Sequence, residues 1–411
     1  MGRPARLACP RCREPGDLAA PPVVCARCGT VMEIETDLGF ARPGLAERIR
    51  RRPRGLWRWH EFLPVDASRG ISLGEGDTPL LHAPRLAREL GIERLHVKND
   101  TVLPTGSLKD RSVTVALTHA RALGAGAVGV ASSGNHAASV AAYAAAAGLP
   151  AIVMVPAATS PAKALQARAH GATLLAVRAG FDATFALFKE ALKAFGWYSC
   201  LSTNPWRNEG KKSYAFETWE DLRGETPDWM LHPIGGGLGV TACWKGWREL
   251  VALGWASRVP RMVAAQPAAA DPITRAFEAG ADDVASIPIV ADTVAQAIAV
   301  GAPSLGWRCL DAVRRTGGAA ASATDAELLE AQALLAHTAG IYCEPSAAAS
   351  VAVARRLRRE GRIKATDLVV CVVTGHGLKQ PGPVEPAPMH TVDPTLAAVE
   401  AALSKGDPTW R

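Results

Sequence analysis

The sequence has few aromatic residues and no long apolar segment that continues without a break. Aromatic side chains make up 6% of the 411 residues, and eleven of them are Trp. One uncharged stretch, 137–157, is about as long as a membrane span, but it consists largely of Ala and is divided by Gly148-Leu149-Pro150. We interpret it as a buried helix followed by a buried strand, and we expect no association with a membrane.

The first residues carry no apolar signal, because 1–13 is basic and interrupted by prolines. Secretion is therefore not expected. Four of the nine cysteines form two Cys-x-x-Cys pairs, and the other five are scattered singly. This distribution does not fit a disulfide framework and predicts a reducing, cytoplasmic location.

Acidic residues are fewer than basic ones, which gives a net charge of +7. The basic residues are spread along the chain except at 48–54, which we interpret as a solvated connecting segment rather than a nucleic-acid-binding arm. Since 48% of the residues are hydrophobic, the chain can fill the cores of two ordinary domains. A globular α/β enzyme fits this composition best.

The two cysteine pairs, Cys9/Cys12 and Cys25/Cys28, are separated by twelve residues. Two tight turns at this spacing can present four thiolates tetrahedrally to Zn²⁺. Because four thiolates leave no open coordination position, we predict a structural zinc ribbon rather than a catalytic metal site. The alternative is four unrelated reduced cysteines.

Short apolar segments alternate with helical patterns along the rest of the chain. The predicted strands are 95–98, 128–131, 152–155, 173–177, 230–232, 262–265 and 368–373, and the predicted helices start near Ser107 and Asn135 or cover 163–170 and 181–195. This alternation predicts α/β architecture with two doubly wound parallel-sheet domains and a cleft between them. Ligands in such sheets lie beyond the carboxyl ends of the strands.

Two loops at predicted strand ends could bind anions. The first, Gly235-Gly236-Gly237-Leu238-Gly239, turns into a helix, so its backbone N–H groups can converge on a phosphate. The second, Ser132-Ser133-Gly134-Asn135-His136, could bind a carboxylate in the same way. The alternatives are a close-packing turn for the first loop and an ordinary helix cap for the second.

Lys109 follows a Pro-Thr-Gly-Ser turn at the start of a predicted helix. The positive end of the helix dipole lowers the pKa of an amine there, as a Schiff-base lysine requires. The alternative is a solvated surface lysine. At the end of the last predicted strand, Thr374 could donate a hydrogen bond to a ring nitrogen or cap a turn.

Several motifs together resemble the threonine synthase family, within the fold-type II pyridoxal 5′-phosphate (PLP) enzymes. The motifs are Gly-Glu-Gly-Asp-Thr-Pro-Leu at 74–80, Pro-Thr-Gly-Ser-Leu-Lys-Asp-Arg at 104–111, Asn204-Pro205, Glu344-Pro345-Ser346 and Thr-Gly-His-Gly-Leu-Lys at 374–379. The resemblance implies a tryptophan synthase β-like fold. Its expected divisions are a zinc ribbon at 1–36, a large PLP-binding domain at 37–115 and 206–390, a small α/β domain at 116–205 and a C-terminal helix or tail at 391–411.

The resemblance also implies roles for individual residues. Lys109 would hold PLP as a Schiff base and carry protons in catalysis, Asn135 would lie beside the PLP 3′-oxygen, and Thr374 would face the pyridine nitrogen. The loop from Gly235 to Gly239 would bind the cofactor phosphate. The expected substrate-binding residues are Ser132, Ser133, Gly134, His136, Asn204 and Arg207.

The implied reaction converts O-phospho-L-homoserine and water to L-threonine and phosphate, in a homodimer that acts on a small amino acid. Three positions depart from many threonine synthases: His136 replaces a common Thr, the cofactor loop is Gly-Gly-Gly-Leu-Gly, and Lys211 replaces a usual Gln. The first two look more like serine/threonine ammonia-lyases. A lyase of that kind or a phosphoserine β-replacement synthase is therefore the second hypothesis, and a zinc-ribbon nucleic-acid-binding protein is a remote third.

Overall fold

The computed structural model describes residues 5–20, 24–159, 161–289, 292–380 and 391–405. The β-strands in these ranges are β1 (Ala5–Ala8), β2 (Pro15–Gly16), β3 (Glu33–Thr36), β4 (Leu80–His82), β5 (Arg94–Asn99), β6 (Val128–Ala131), β7 (Ala151–Pro156), β8 (Thr173–Val177), β9 (Tyr198–Ser199), β10 (Trp229–Pro233), β11 (Arg261–Pro267), β12 (Ala319–Ala323) and β13 (Leu368–Val373).

The α-helices in the same ranges are α1 (Leu45–Arg50), α2 (Pro84–Leu90), α3 (Lys109–Ala122), α4 (Asn135–Ala147), α5 (Pro161–Ala169), α6 (Phe181–Phe195), α7 (Trp206–Lys211), α8 (Ser213–Asp221), α9 (Leu238–Ala252), α10 (Pro272–Glu278), α11 (Gly306–Arg315), α12 (Asp325–Ala339), α13 (Pro345–Arg359) and α14 (Leu396–Lys405). Short 3-10 helices cover Leu38–Phe40, Leu56–Phe62, Ala67–Arg69, Asp100–Val102, Gln296–Ile298 and Gly377–Lys379. None of the described helices combines the length and apolarity that crossing a membrane requires.

The N-terminal ribbon is a small antiparallel sheet in which β1 pairs with both β2 and β3. Two similar turns carry the cysteines: the N–H of Arg13 donates to the carbonyl of Cys9 at 3.0 Å, and the N–H of Gly29 donates to that of Cys25 at 2.9 Å. Leu7 and Ile34 point away from solvent and join a core shared with α3 and α4. The ribbon is thus packed onto the main body.

The large sheet has six strands in the order β12-β11-β10-β13-β5-β4. All neighbouring strands are parallel except β4, which pairs antiparallel with β5 at one edge. The core strands β10, β11 and β13 are almost fully buried, as expected for a sheet covered by helices on both faces. Parallel pairing places the carboxyl ends of these strands at one edge.

The small sheet is fully parallel, with the order β8-β7-β6-β9. The uncharged stretch forms α4 and β7, as predicted. Gly148 ends α4 with a backbone φ of 67°, which residues with a Cβ rarely adopt. The two parallel-sheet units and the ribbon confirm the predicted α/β fold class. The residue boundaries of the domains stay a prediction.

A buried ion network joins α3 to its surroundings. The Arg111 guanidinium donates to both carboxylate oxygens of Asp100, at 2.8 and 2.9 Å, and to both of Glu217, at 2.5 and 2.8 Å. The guanidinium also donates to the hydroxyls of Thr78 and Ser213. Since every donor of this buried side chain is satisfied, Arg111 fixes α3 against α8 and against the 3-10 helix Asp100–Val102 that follows β5.

The same stretch of α3 packs directly on α7. Gly210 of α7 faces the backbone of Arg111, and a Cβ at position 210 would overlap the carbonyl oxygen of Arg111. Only glycine permits this approach, so the two helices form one rigid pair.

We therefore expect Gly210→Ala to push α7 away from α3 and to lower the free energy of unfolding by about 2 to 3 kcal/mol. Urea unfolding would measure the change. Gly126→Ala is the matched control, because a Cβ there meets nothing within 4 Å. Equal stability of the two variants would contradict the close packing described here.

Candidate active site

Lys109 is the first residue of α3 and lies where the last strand of the large sheet ends. The N–H of Leu108 donates to the carbonyl of Thr374 at 2.8 Å, and Ser107 forms a β-bridge with Gly375. Burial lowers the pKa of Lys109 to about 8, with Arg207 adding to the shift and Glu344 opposing it. A lysine with this pKa is about one-tenth neutral at pH 7, a far larger neutral fraction than an ordinary lysine has.

The turn that holds Lys109 is fixed by its neighbour Asp110. The Asp110 carboxylate accepts from the N–H and the hydroxyl of Thr105, at 2.7 and 2.6 Å, and from the hydroxyl of Ser139 at 2.6 Å. Burial raises the pKa of Asp110 to about 6, and these hydrogen bonds oppose the rise. Asp110 thus ties the lysine turn to α4.

The glycine loop lies between β10 and α9. Among the described residues, no acceptor receives a hydrogen bond from the backbone N–H groups of 235–239. A Cβ on Gly235 would come within 2.8 Å of Val300, and Gly237 has a φ of 93°. The loop therefore presents free donors at the start of a fifteen-residue helix, in a conformation that needs glycine.

Strand register brings this loop beside Thr374. Leu231 of β10 pairs with Cys371 of β13, so the carboxyl ends of the two parallel strands are neighbours. Thr374 is buried, and its hydroxyl makes no hydrogen bond to another described residue. The hydroxyl and the glycine loop thus lie at the same edge of the large sheet.

Asn135, the first residue of α4, reaches the site from the small sheet. Its amide donates to both carboxylate oxygens of Glu344 at 3.0 Å, and the N–H of Glu344 donates to the carbonyl of Gly375 at 2.9 Å. Burial raises the pKa of Glu344, although Asn135 and Lys109 oppose the rise. This chain of contacts closes the site between the two sheets.

The loop before α4 also offers free donors. The N–H groups of Ser132, Ser133 and Gly134 have no acceptor among the described residues, and all three residues are partly exposed. They lie at the N-terminus of a thirteen-residue helix, where an anion is stabilised.

Helix α7 adds two cations on one face, Arg207 and Lys211, four residues apart. Arg207 is 4% exposed and Lys211 is 2% exposed, yet neither forms an ion pair within the described part of the chain. Burial lowers the pKa of Arg207 to about 10. Burial, followed by Lys109 and Arg207, lowers the pKa of Lys211 well below its usual value.

His136 faces the same cations. Its Nε2 is buried without a hydrogen-bond partner, and burial followed by Arg207 and Lys109 lowers its pKa far below the usual value. The imidazole of His136 is therefore neutral. Arg207 and Lys211 lack paired carboxylates, so their burial is unfavourable, and a bound anion would offset it.

Asn204 supports α7. Its amide donates to the hydroxyl of Tyr198 at 3.1 Å and to the carbonyl of Ser199 at 2.9 Å, while its oxygen accepts from the N–H of Trp206 at 3.0 Å. The side chain therefore fixes the start of the helix that carries Arg207.

Glu344 lies in a family motif and Lys211 departs from the usual residue, but neither is among the site residues predicted from the sequence. From the sequence, Glu344 could contact the cofactor region or the substrate amine, but stabilisation of the helix dipole is an equally good interpretation. Lys211 is followed by Lys212, which pairs with Glu209 and Glu249, and nothing in the sequence distinguishes the unpaired lysine from the paired one.

The four ribbon cysteines form a separate cluster. The sulfur atoms of Cys9, Cys12, Cys25 and Cys28 all lie within 4.8 Å of one another. The separations are 3.4 Å for Cys9–Cys28, 3.6 Å for Cys12–Cys25 and 3.7 Å for Cys12–Cys28. Tetrahedral Zn–S bonds of about 2.3 Å would place sulfurs about 3.8 Å apart, so the cluster suits such an ion.

Comparison with known proteins agrees with this geometry. Residues 71–375 match the family described as pyridoxal-phosphate dependent enzyme. Threonine synthase from Methanocaldococcus jannaschii is 41% identical over 358 residues, which cover 86% of this chain and 88% of that protein. Threonine synthase from Methanosarcina acetivorans is 37% identical, with coverages of 92% and 94%.

Among solved structures, a maize serine racemase superposes with a TM-score of 0.64, at 20% identity, over 80% of this chain and 92% of that one. This likeness concerns the fold. The sequence matches cover most of the chain at 37% and 41% identity, and they show the family as well as the fold. The chain belongs to the pyridoxal-phosphate dependent enzymes and, within them, to the threonine synthase family.

Proposed function

We propose that the protein is a threonine synthase, which converts O-phospho-L-homoserine and water to L-threonine and phosphate. The observation that carries the proposal is the pair of buried, unpaired cations on α7 beside Lys109. A phosphorylated amino acid would supply the negative charge that these cations lack. The relatives named threonine synthase support the same reaction.

The residues present fit PLP. The free N–H groups of 235–239 suit its phosphate, and the amine of Lys109, with a pKa near 8, suits covalent attachment to its aldehyde carbon. Thr374 offers a hydroxyl for the ring nitrogen, and Asn135 offers an amide for the ring oxygen. When bound, the cofactor withdraws electrons from the substrate, which acidifies Cα and then Cβ and lets phosphate leave from Cγ.

Lys109 is the proton carrier in this scheme. Because its pKa of about 8 lies close to the working pH, the free amine can accept a proton from carbon and return it. Asp110 and the Thr105 turn hold the start of α3, which keeps the amine in place. Thr374, being neutral, does not keep a ring nitrogen protonated, which favours elimination along the side chain over transamination.

The substrate would be held at both ends. The N–H groups of Ser132, Ser133 and Gly134 suit its carboxylate. Arg207 suits its phosphate through bidentate contacts, with Lys211 and His136 as further donors. Asn204 contributes by fixing the start of α7.

We further propose that the ribbon cysteines bind one structural Zn²⁺, because the sulfur separations suit tetrahedral thiolate coordination. Assembly as a homodimer and a cytoplasmic location stay predictions from the family resemblance.

The proposed reaction is tested with purified holoenzyme and O-phospho-L-homoserine. We expect inorganic phosphate and threonine to appear in equal amounts. The Lys109→Ala variant should form neither product, and borohydride reduction should leave cofactor attached to the wild type alone. Formation of 2-oxo acids from serine or threonine, without phosphate release from phosphohomoserine, would identify an ammonia-lyase instead.

The role of Lys211 is tested by two neighbouring variants. Lys211→Met should raise KM for O-phospho-L-homoserine by about 10- to 100-fold, since a charged hydrogen bond to phosphate is lost. It should not lower the free energy of unfolding, because the removed charge is buried and unpaired.

Lys212→Met is the matched control, since Lys212 pairs with Glu209 at 2.7 Å and Glu249 at 3.0 Å. We expect it to lower the free energy of unfolding by about 3 to 5 kcal/mol. If Lys211→Met destabilised the protein to the same degree and left KM unchanged, Lys211 would be a structural residue.

The metal proposal predicts one zinc per chain in the purified protein. Cys12→Ser should lose most of this zinc, measured by elemental analysis, because three thiolates bind the ion more weakly than four. Cys371→Ala, which removes a buried cysteine of β13, should keep it. Metal-free protein with an unchanged melting temperature would argue against a structural zinc.

A further inference from the structure

A side chain of the ribbon strand β3 pairs with two helices that pack on the large sheet. The Glu33 carboxylate accepts from Arg248 of α9 at 2.7 Å and from Arg308 of α11 at 3.0 and 2.7 Å. Burial would raise the pKa of Glu33, but Arg308 and Arg248 hold it at about 2. A single ribbon carboxylate therefore pairs with both helices.

Two further contacts strengthen this connection. Lys245 of α9 donates to the carbonyl of Ile34, the next residue of β3. The guanidinium groups of Arg248 and Arg308 lie 4.3 and 4.5 Å from the ring centre of Trp244. The ribbon, α9 and α11 are thus locked around one aromatic side chain.

Both helices begin at the glycine loop. α9 starts at Leu238, inside the loop, and α11 starts directly after Leu305. The N–H of Leu305 donates to the carbonyl of Gly236 at 2.9 Å, and a Cβ on Gly237 would lie 2.9 Å from the carbonyl oxygen of Leu305. The loop is therefore held between the starts of α9 and α11.

A ribbon side chain also reaches this point directly. Val31 forms a small buried apolar cluster with Leu238 and Leu305, which are 3%, 7% and 4% exposed in that order. The N–H groups of the loop make no hydrogen bonds within the described protein, so its shape depends on such outside contacts. Val31 and Glu33 supply them from the ribbon.

We propose that the zinc ribbon positions the cofactor-phosphate loop, with Glu33 and Val31 as the positioning residues. The ribbon keeps α9 and α11 at the separation at which the N–H groups of 235–239 converge on a phosphate. This rests on the proposed function, because it takes that loop as the phosphate site. It requires no contact between the ribbon and the substrate.

The test compares Glu33→Gln with Glu35→Gln, the same substitution two residues further along β3. Glu35 pairs with Arg6 and Arg13 inside the ribbon and does not reach α9. For each holoenzyme, the dissociation constant of PLP is measured from the loss of visible absorbance on dilution. The same measurement is made after reconstitution with pyridoxal, which has no phosphate.

Glu33→Gln should lose about tenfold in affinity for PLP and keep its affinity for pyridoxal, because only the phosphate contacts are disturbed. Glu35→Gln should change neither value. Val31→Ala should give a smaller loss in the same direction, and it serves as the second variant if Glu33→Gln does not fold. Equal losses for PLP and pyridoxal, or no difference between Glu33→Gln and Glu35→Gln, would overturn the proposal.

Gly237→Ala separates this inference from the function on which it rests. A Cβ there meets Leu305 in a strained conformation, so the preference for PLP over pyridoxal should fall. If it falls while Glu33→Gln behaves as wild type, the inference alone is overturned. If Gly237→Ala keeps the preference, the phosphate assignment in the proposed function is wrong, and the inference is overturned with it.

Discussion

The buried guanidinium of Arg111 is the interaction on which the rest of the site depends. It pairs with Asp100, which follows β5, and with Glu217 of α8, and it leaves none of its own donors free. Lys98 supplies the second positive charge, since it also pairs with Glu217. Removing one partner from such a network would leave a buried charge uncompensated. Since Arg111 lies two residues after Lys109, the network that stabilises the core also fixes the start of α3, where Lys109 lies.

In the candidate active site, by contrast, the buried basic side chains have no paired carboxylates. Arg207, Lys211 and His136 are buried or partly buried and lack partners among the described residues, and each has a lowered pKa. Burial of these groups destabilises the free protein, and under the proposed function an anionic substrate would offset that penalty. The fold therefore contains a paired buried charge at Arg111 and unpaired buried cations on α7, and the proposed function assigns the unpaired cations to substrate binding.

The sequence predicted the parallel-sheet architecture well, because strands such as β7 and β13 are short apolar segments between helical patterns. It did not predict β12, Ala319–Ala323, since a run of alanine favours a helix and only pairing with β11 makes it a strand. In the candidate site, motifs located Lys109, Asn135, the glycine loop and Thr374, all at element ends. The hydrogen bonds between Glu344 and Asn135 could not be predicted, because the two residues lie 209 positions apart and meet only in the folded chain.

The close contact between Gly210 and the backbone of Arg111 has a consequence for substrate choice. It holds α3 and α7 together, so the backbone positions of Lys109, Arg207 and Lys211 are fixed relative to one another. Under the proposed function, the fixed arrangement of the two helices selects substrates by the number of carbons between the amino group and the phosphate. A phosphoamino acid shorter by one carbon would lose its contact either with Lys109 or with Arg207 and Lys211.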